Sequence, residues 1–522
     1  MVAQILKFLV LALLFSLNSC LLVGPDYKEP AKKVAEHWSL EDKSVREAPI
    51  NNANWWEQFK DPTLSCLMKQ GYHNNINLQA VAARVLKARA ILAQSVGKLY
   101  PQKQDMTGNL IYQKIGGQDL QFVLPPSFTT AVLGASAAWE MDFWGKYRRQ
   151  VLANNASFLS SYAAYDNALV SLTADIATTY INIRTTEELI SVTKKNIAIQ
   201  DIGLRIAEAR YKEGETNLLD VDLAKTELYK TKASLPNLMA NLKRYKDLLG
   251  VLVGTTPDQV DKLIVKSYGI PKSPKNIAVG IPHEALARRP DVYDARLRAI
   301  AQLHGIGATK AQLFPALSLS GTFAFSSNDI NGSSLAEIFN WSSRMALAGP
   351  SFSWPLLNYG RITNAVRQQD AAFEVSLLDY QNTVLKAQQE VQDNITNFVE
   401  TEKSAINLNV SNNAAIQATD ISIIRYREGE SDFTPVLDSE RQQLAVQRSL
   451  TSAKGDIPKA VVALYRSLGG GWQIRGCNDI VSNQVKLEMA KRINWGNLLK
   501  QENHQPPRTQ KKQIEELYLP NW

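Results

Sequence analysis

Two stretches of the chain alternate strictly between apolar and polar positions. In residues 130–143 (TAVLGASAAWEMDF), Ala131, Leu133, Ala135, Ala137, Trp139, Met141 and Phe143 are apolar, and the positions between them include Ser136, Glu140 and Asp142. In residues 316–325 (ALSLSGTFAF), Leu317, Leu319, Gly321, Phe323 and Phe325 alternate with Ser318, Ser320 and Thr322. Period two with one polar face predicts strands with water on one side and lipid or a core on the other. Residues 103–114 and 341–353 are expected as their partners, across loops 115–127 and 327–340.

A second pattern is longer. Residues 146–213 contain no Pro and a single Gly, Gly203, and residues 361–428 contain neither. Each run would extend roughly 100 Å as one helix, well beyond an ordinary globular helix. Both are rich in Ala, Ser, Thr and Asn, so helices are expected to lie side by side, in a coiled-coil-like array or a tube, instead of around a thick core. Each run ends at a glycine, Gly214 or Gly429, that suits a tight left-handed reversal into a second helix, over 218–250 and 433–468.

The two patterns occur twice. RYKEGET at 210–216 and RYREGES at 425–431 lie 215 positions apart, as do WEMDFWGKY from Trp139 and WPLLNYGRI from Trp354. KLYPQ at 98–102 matches QLFPA at 312–316, and YKDLLG at 245–250 matches YRSLGG at 465–470. The chain therefore reads as two tandem copies of one α+β unit, too few for a solenoid. Four strands per chain cannot close a barrel, and an open edge cannot sit in hydrocarbon. Closure must come from other copies: eight strands from two, twelve from three.

The N-terminus changes the location. Lys7 precedes an apolar run over 8–17, too short to span a bilayer and suited to a secretory signal. The run ends in Leu17-Asn18-Ser19-Cys20, similar to a bacterial lipobox, which makes Cys20 a lipidation site and residues 1–19 a signal peptide. Leu21, in place of Asp, favours sorting to the outer membrane. After residue 23 no 18 consecutive apolar residues occur, so any membrane crossing must use strands. Cys66 and Cys477 have no metal or redox spacing; a disulfide between them is allowed but sequence does not place them together. The net charge of +8 is spread along the chain, with no basic block interleaved with aromatics, which argues against nucleic acid. The histidines at 37, 73, 283, 304 and 504 form no metal motif, and there is no phosphate loop or nucleophile elbow. An enzyme, a cofactor and a metal site are all unexpected.

The start CLLVGPDYKEP, WWEQFKDPTL, the LYPQ/LFPA pair, the two aromatic-Gly-basic strand exits, RRPDVYDAR at 288–296, both glycine tips and the closing SLGGGW together resemble the TolC/OprM-type outer-membrane factors, in their lipoprotein, RND-efflux branch. These are exit ducts of tripartite efflux pumps and type I secretion systems. The resemblance covers about residues 20–472. It implies a homotrimer whose twelve strands form an outer-membrane barrel, whose helices form a periplasmic α-barrel, and whose N- and C-terminal segments help build a mixed equatorial belt. It divides the chain into a lipidated segment 20–60, a first repeat 61–270, a second repeat 271–472 and an extension 473–522, expected to be disordered. The implied partners are a periplasmic adaptor protein, an inner-membrane transporter of RND, ABC or MFS type that supplies the energy, and outer-membrane lipid. The resemblance also places a periplasmic gate at Asp220, Tyr426 and Asp438, and adaptor docking tips at Gly214, Thr216, Leu218, Gly429, Ser431 and Phe433, with Val221 and Val436 beside them. Pro435 and Ser431 depart from the family pattern, where many relatives have Asp and some have Arg. The rival reading is a non-channel periplasmic coiled-coil structural lipoprotein.

Overall fold

The computed structural model describes residues 22–30, 34–39, 42, 44–49, 53–116, 125–264, 269–274, 276–505 and 517–520. Cys20 and the signal segment lie outside the described residues. The strands are β1 Val45–Arg46, β2 Lys103–Lys114, β3 Ser127–Met141, β4 Ile277–Ala278, β5 Ala316–Asn328 and β6 Arg344–Ser353. The helices are α1 Pro62–Asn74, α2 Ile76–Gly97, α3 Lys146–Lys212, α4 Leu218–Val253, α5 Pro257–Leu263, α6 Pro282–Ala287, α7 Pro290–Lys310, α8 Arg361–Arg427, α9 Thr434–Ser467, α10 Asn483–Arg492 and α11 Gln501–His504.

The four long strands form one antiparallel sheet in the order β2-β3-β5-β6. Its register keeps the alternation in rows. Met106 pairs with Ala135, Ala135 with Phe323 and Phe323 with Ala346. On the opposite face Asp105 pairs with Ser136, Ser136 with Thr322 and Thr322 with Leu347. A slip of one residue would put Asp105 and Ser136 on the apolar side, so the pattern itself fixes the register. β6 starts at Arg344, three residues later than expected, because Trp341–Ser343 form a turn of 3₁₀ helix; Trp341 packs on Phe323 and Phe325 instead of extending the strand.

Each long strand pair hands over to a long helix through a glycine in the left-handed region, Gly145 (φ 77°) before α3 and Gly360 (φ 80°) before α8. α3 and α8 are 67 residues each. The repeated sequence motifs meet at this junction. The Trp139 indole donates to the Leu99 carbonyl of LYPQ (3.0 Å), and the Trp354 indole donates to the Leu313 carbonyl of LFPA (3.0 Å).

The largest core lies around the middle of α3, where α1 and α2 pack on it together with the ends of α4 and α9. Asp61 caps α1 through Thr63 and Leu64 and accepts the buried Tyr180 hydroxyl (2.7 Å), which ties the helix start to α3. The N-terminal strap joins this belt at β1, which pairs in parallel with β4. α7 packs against both α3 and α8.

The C-terminal segment departs from expectation. Residues 477–505 are folded onto the belt. Ile480 and Val481 are buried, and His504 is fully buried. Asp479 accepts from His504 (2.8 Å) and pairs with Lys486; those bonds outweigh the cost of its own burial and hold its carboxyl down at about 2. Arg475 grips Asp166 with two bonds (2.6 and 3.1 Å). The mixed charges of this segment read as solvated in sequence, but they satisfy one another across turns, and a two-residue apolar plug is too short to give a periodic signal. The basic stretch 506–516 lies outside the described residues. Cys66 and Cys477 are exposed and are not joined in a disulfide.

Candidate functional site

The two helical tips close with the same bonds. In the first, Gly214 N–H donates to Tyr211 and Glu215 N–H to the Arg210 carbonyl; in the second, Gly429 N–H donates to Tyr426 and Glu430 N–H to the Arg425 carbonyl. Gly214 and Gly429 sit at φ 79° and 81°. This is the left-handed cap that the sequence required, and side-chain-bearing residues pay strain there.

Although the phrase is written twice, its side chains have two environments. Tyr426 is 2% exposed, whereas Tyr211 is 44% exposed. Arg210 is mostly buried and Arg425 is not. The tips lean on one another so that Arg210 stacks over the Tyr426 ring (4.7 Å) and donates to the Tyr426 carbonyl. The Tyr426 hydroxyl donates to Asp220 Oδ2 (3.2 Å), and the Thr216 hydroxyl donates to the same oxygen. Burial, then the adjacent Asp220 charge, raises the Tyr426 hydroxyl above its ordinary value, so it remains a donor. Phe433 meets the Tyr426 ring edge-on (5.2 Å), and Ala207, Ala224, Val436 and Leu437 complete the cluster.

The structure thus brings Thr216, Asp220 and Tyr426 together. It places Phe433 differently: at 1% exposure it is the wedge between the tips and offers no docking surface. The Ser431 hydroxyl is buried beside it. Leu218 is more than half exposed at the tip, and Gly214 has open space around it. Asp438 faces solvent and joins none of the bonds of the cluster. Sequence reasoning missed Arg210. Its signal was present, since the repeated phrase begins with it, but a charged residue in a mostly polar helix end reads as solvated.

A second functional arrangement lies at the other end of α3. The fully buried Arg149 gathers the strap: its Nε donates to the Val23 carbonyl (3.1 Å) and its Nη2 to Gly24 (3.1 Å) and to Asp26 Oδ1 (3.1 Å). Val23 N–H donates to the Trp144 carbonyl (3.2 Å). His304 takes the remaining guanidinium nitrogen (3.2 Å), and burial, then the Arg149 charge, hold its ring at about 4, so it stays neutral and can accept. Residue 22 is thereby pinned where the strands give way to helices. Arg149→Ala leaves these carbonyls without a donor and is expected to cost about 1–3 kcal/mol. Limited proteolysis should then cut the strap at residues 22–30 while α3 stays protected.

Among the described residues no group of His, Cys, Asp or Glu could hold a metal, and no helix is long and apolar enough to cross a membrane. A sheet with one apolar face, two edges without a neighbouring strand among the described residues and 67-residue helices running from it fits a membrane duct. The outer membrane efflux protein family matches residues 67–255 and 281–470. The chain belongs to this family. As an outer membrane efflux protein it is similar along most of its length to several relatives. It is 28% identical over 459 residues to nodulation protein T of Rhizobium leguminosarum bv. viciae, covering 87% of this chain and 92% of that one. It is 25% identical over 474 residues to the cation efflux system protein CusC of Escherichia coli O6:H1 (90% and 99%). To the solvent efflux pump outer membrane protein SrpC of Pseudomonas putida it is 26% identical over 490 residues (90% and 99%). Its fold superposes on the outer-membrane channel OprN with a TM-score of 0.79 at 29% identity, over 87% of this chain and all of that one. The Campylobacter jejuni CmeC channel gives 0.77 at 21% identity, over 91% and 99%. This outer membrane efflux protein is therefore an exit channel of the outer membrane.

Proposed function

We propose that three copies close their sheets into one twelve-stranded barrel and their helices into one periplasmic tube, through which small toxic solutes leave the cell passively. The observation that carries this is the sheet. Among the described residues, β2 and β6 each pair with a single neighbouring strand. With four alternating strands, β6 of one copy runs antiparallel to β2 of the next, so every edge finds a partner and no break in direction arises. The rows then put Met106, Leu133, Phe323 and Phe325 toward lipid and Asp105, Ser136 and Thr322 toward the lumen. The exposed apolar face of α8, with Val375, Leu378, Ile406, Val410, Ile421 and Ile424, supports a helical neighbour from another copy.

The partners in this reading are a periplasmic adaptor, docking at the tips through Gly214, Thr216, Leu218 and Gly429, and an inner-membrane transporter of RND, ABC or MFS type. Cys20 carries the lipid, two residues before a strap that Arg149 pins at the base of the sheet. Planar-bilayer recording with native mass spectrometry tests the channel. A trimer with discrete conductance steps is expected; a folded monomer without conductance overturns it. Mass analysis of the mature N-terminus tests Cys20 separately: a chain starting at Cys20 with added acyl mass is expected, and an unmodified cysteine refutes the anchor.

A further inference from the structure

The lone glycine of the first long helix has no role in the tips. Gly203 lies in the interior of α3, where a glycine costs about 1 kcal/mol relative to alanine. It faces a carboxylate: a Cβ on Gly203 would stand 3.0 Å from Glu440 Oε1. Glu440, on α9, is 3% exposed, and its Oε1 is buried without a hydrogen-bond partner. Against it from α4 stands a second buried carboxylate, Glu227, 4% exposed. The cations here attend Glu227: Arg441 Nε lies 2.8 Å from it and Lys230 Nζ 3.8 Å. From α3 it meets Gly203, with the buried Gln200 one turn before, and the α8 side of α9 meets Thr419 and Ser422 through Ser439. Gln443, one turn after Glu440, is likewise buried, and the next layer is the Asn196–Gln447 bond (2.6 Å).

Two buried carboxylates with cations on only one of them cannot both stay ionised at little cost. We infer that Glu440 is a proton latch: it holds a proton while α3, α4 and α9 are packed above the tips and releases it when they part. The inference rests on the reading of the tips as a gate. Burial first, and the Glu227 charge second, raise the Glu440 carboxyl to about 7. The sign follows from linkage. The packed state binds the proton up to about pH 7 and the parted state only up to about pH 4.5, so packing is favoured at low pH and weakens as pH rises between those values. The repeat makes the device one-sided: the positions 215 residues away are Lys225 for Glu440, Gln442 for Glu227 and Ala418 for Gly203. Only the interface between α3, α4 and α9 carries it.

The test uses the full-length assembled protein at pH 6 and pH 8. Hydrogen exchange over residues 196–210 and 436–447, corrected for intrinsic rates, should be about tenfold faster at pH 8, the factor for an acid titrating near 7 in the packed state and near 4.5 in the parted one. Glu440→Gln should remove this response, and the wild-type-minus-variant infrared difference should show a protonated carboxyl at pH 6. Glu227→Gln should shift the midpoint to lower pH, and it carries the test if Glu440→Gln does not assemble. An unchanged pH response in Glu440→Gln, an unshifted midpoint in Glu227→Gln, or no response in the wild type overturns the latch. Neither readout requires conduction. A protein that titrates but never conducts sinks the channel reading alone, and one that conducts without titrating sinks the latch alone.

Discussion

Phe323→Arg is expected to leave almost no trimer in the outer membrane, while Thr322→Arg, one residue away, assembles normally and conducts less. Both lie half way along β5, in rows that run unbroken across the sheet from β2 to β6. Phe323 stands in the row of Met106 and Ala135, with Phe325 and Trp341 packed beside it. An arginine there faces the hydrocarbon near its middle, at about 2–4 kcal/mol per copy, and the cost recurs in each copy of the assembly. Thr322 stands in the row of Asp105 and Ser136, where an arginine meets water and acidic groups. Its three positive charges would lower cation conductance without opposing insertion. Trimer yield by native mass spectrometry and single-channel current read the two outcomes. Equal trimer yields would mean that the apolar face does not contact lipid.

The contrast between those neighbours was legible in the sequence, because period two assigns a face to each residue without reference to anything distant. The same holds for the long helices, whose limits are set by local events: a left-handed glycine at 145 or 360 to start, another at 214 or 429 to stop. What escaped the sequence depends on which side chains meet. Tyr211 and Tyr426 occupy the same place in the same phrase, yet one is exposed and the other buried, since the first tip leans on the second in only one direction. Phe433 was assigned to the docking tip by the family resemblance; packing against Tyr426 makes it core. Nothing in the local pattern marks Glu440 and Glu227, which the convergence of α3, α4 and α9 buries together. The C-terminal segment failed for a related reason. Its stability comes from pairings such as Arg475 with Asp166, 309 residues apart, which no local pattern announces.

The tips carry the other large effect. Tyr426→Phe is expected to raise resting conductance about tenfold or more, with normal trimer levels. The substitution keeps the ring, so the stack under Arg210 and the edge contact with Phe433 survive. It deletes one hydroxyl, and with it the bond to Asp220 that joins the second tip to the first. A hydrogen bond to a charged group contributes about 1.5–3 kcal/mol, and each 1.4 kcal/mol changes a two-state population about tenfold. Asp220→Asn should act in the same direction, since Thr216 and Tyr426 both donate to that carboxylate. Asp438→Ala should behave differently. Asp438 is exposed and takes no part in the bonds between the tips, so its removal should leave resting conductance near the wild-type level. Around a threefold axis, however, it would contribute three like charges to the periplasmic mouth, and their loss should weaken block by multivalent cations. Recordings of the three variants with and without a trivalent cation separate a latch from a charged ring. If Tyr426→Phe conducts as the wild type does while Asp438→Ala opens the pore, the bond between the tips is structural and the closing element lies on α9.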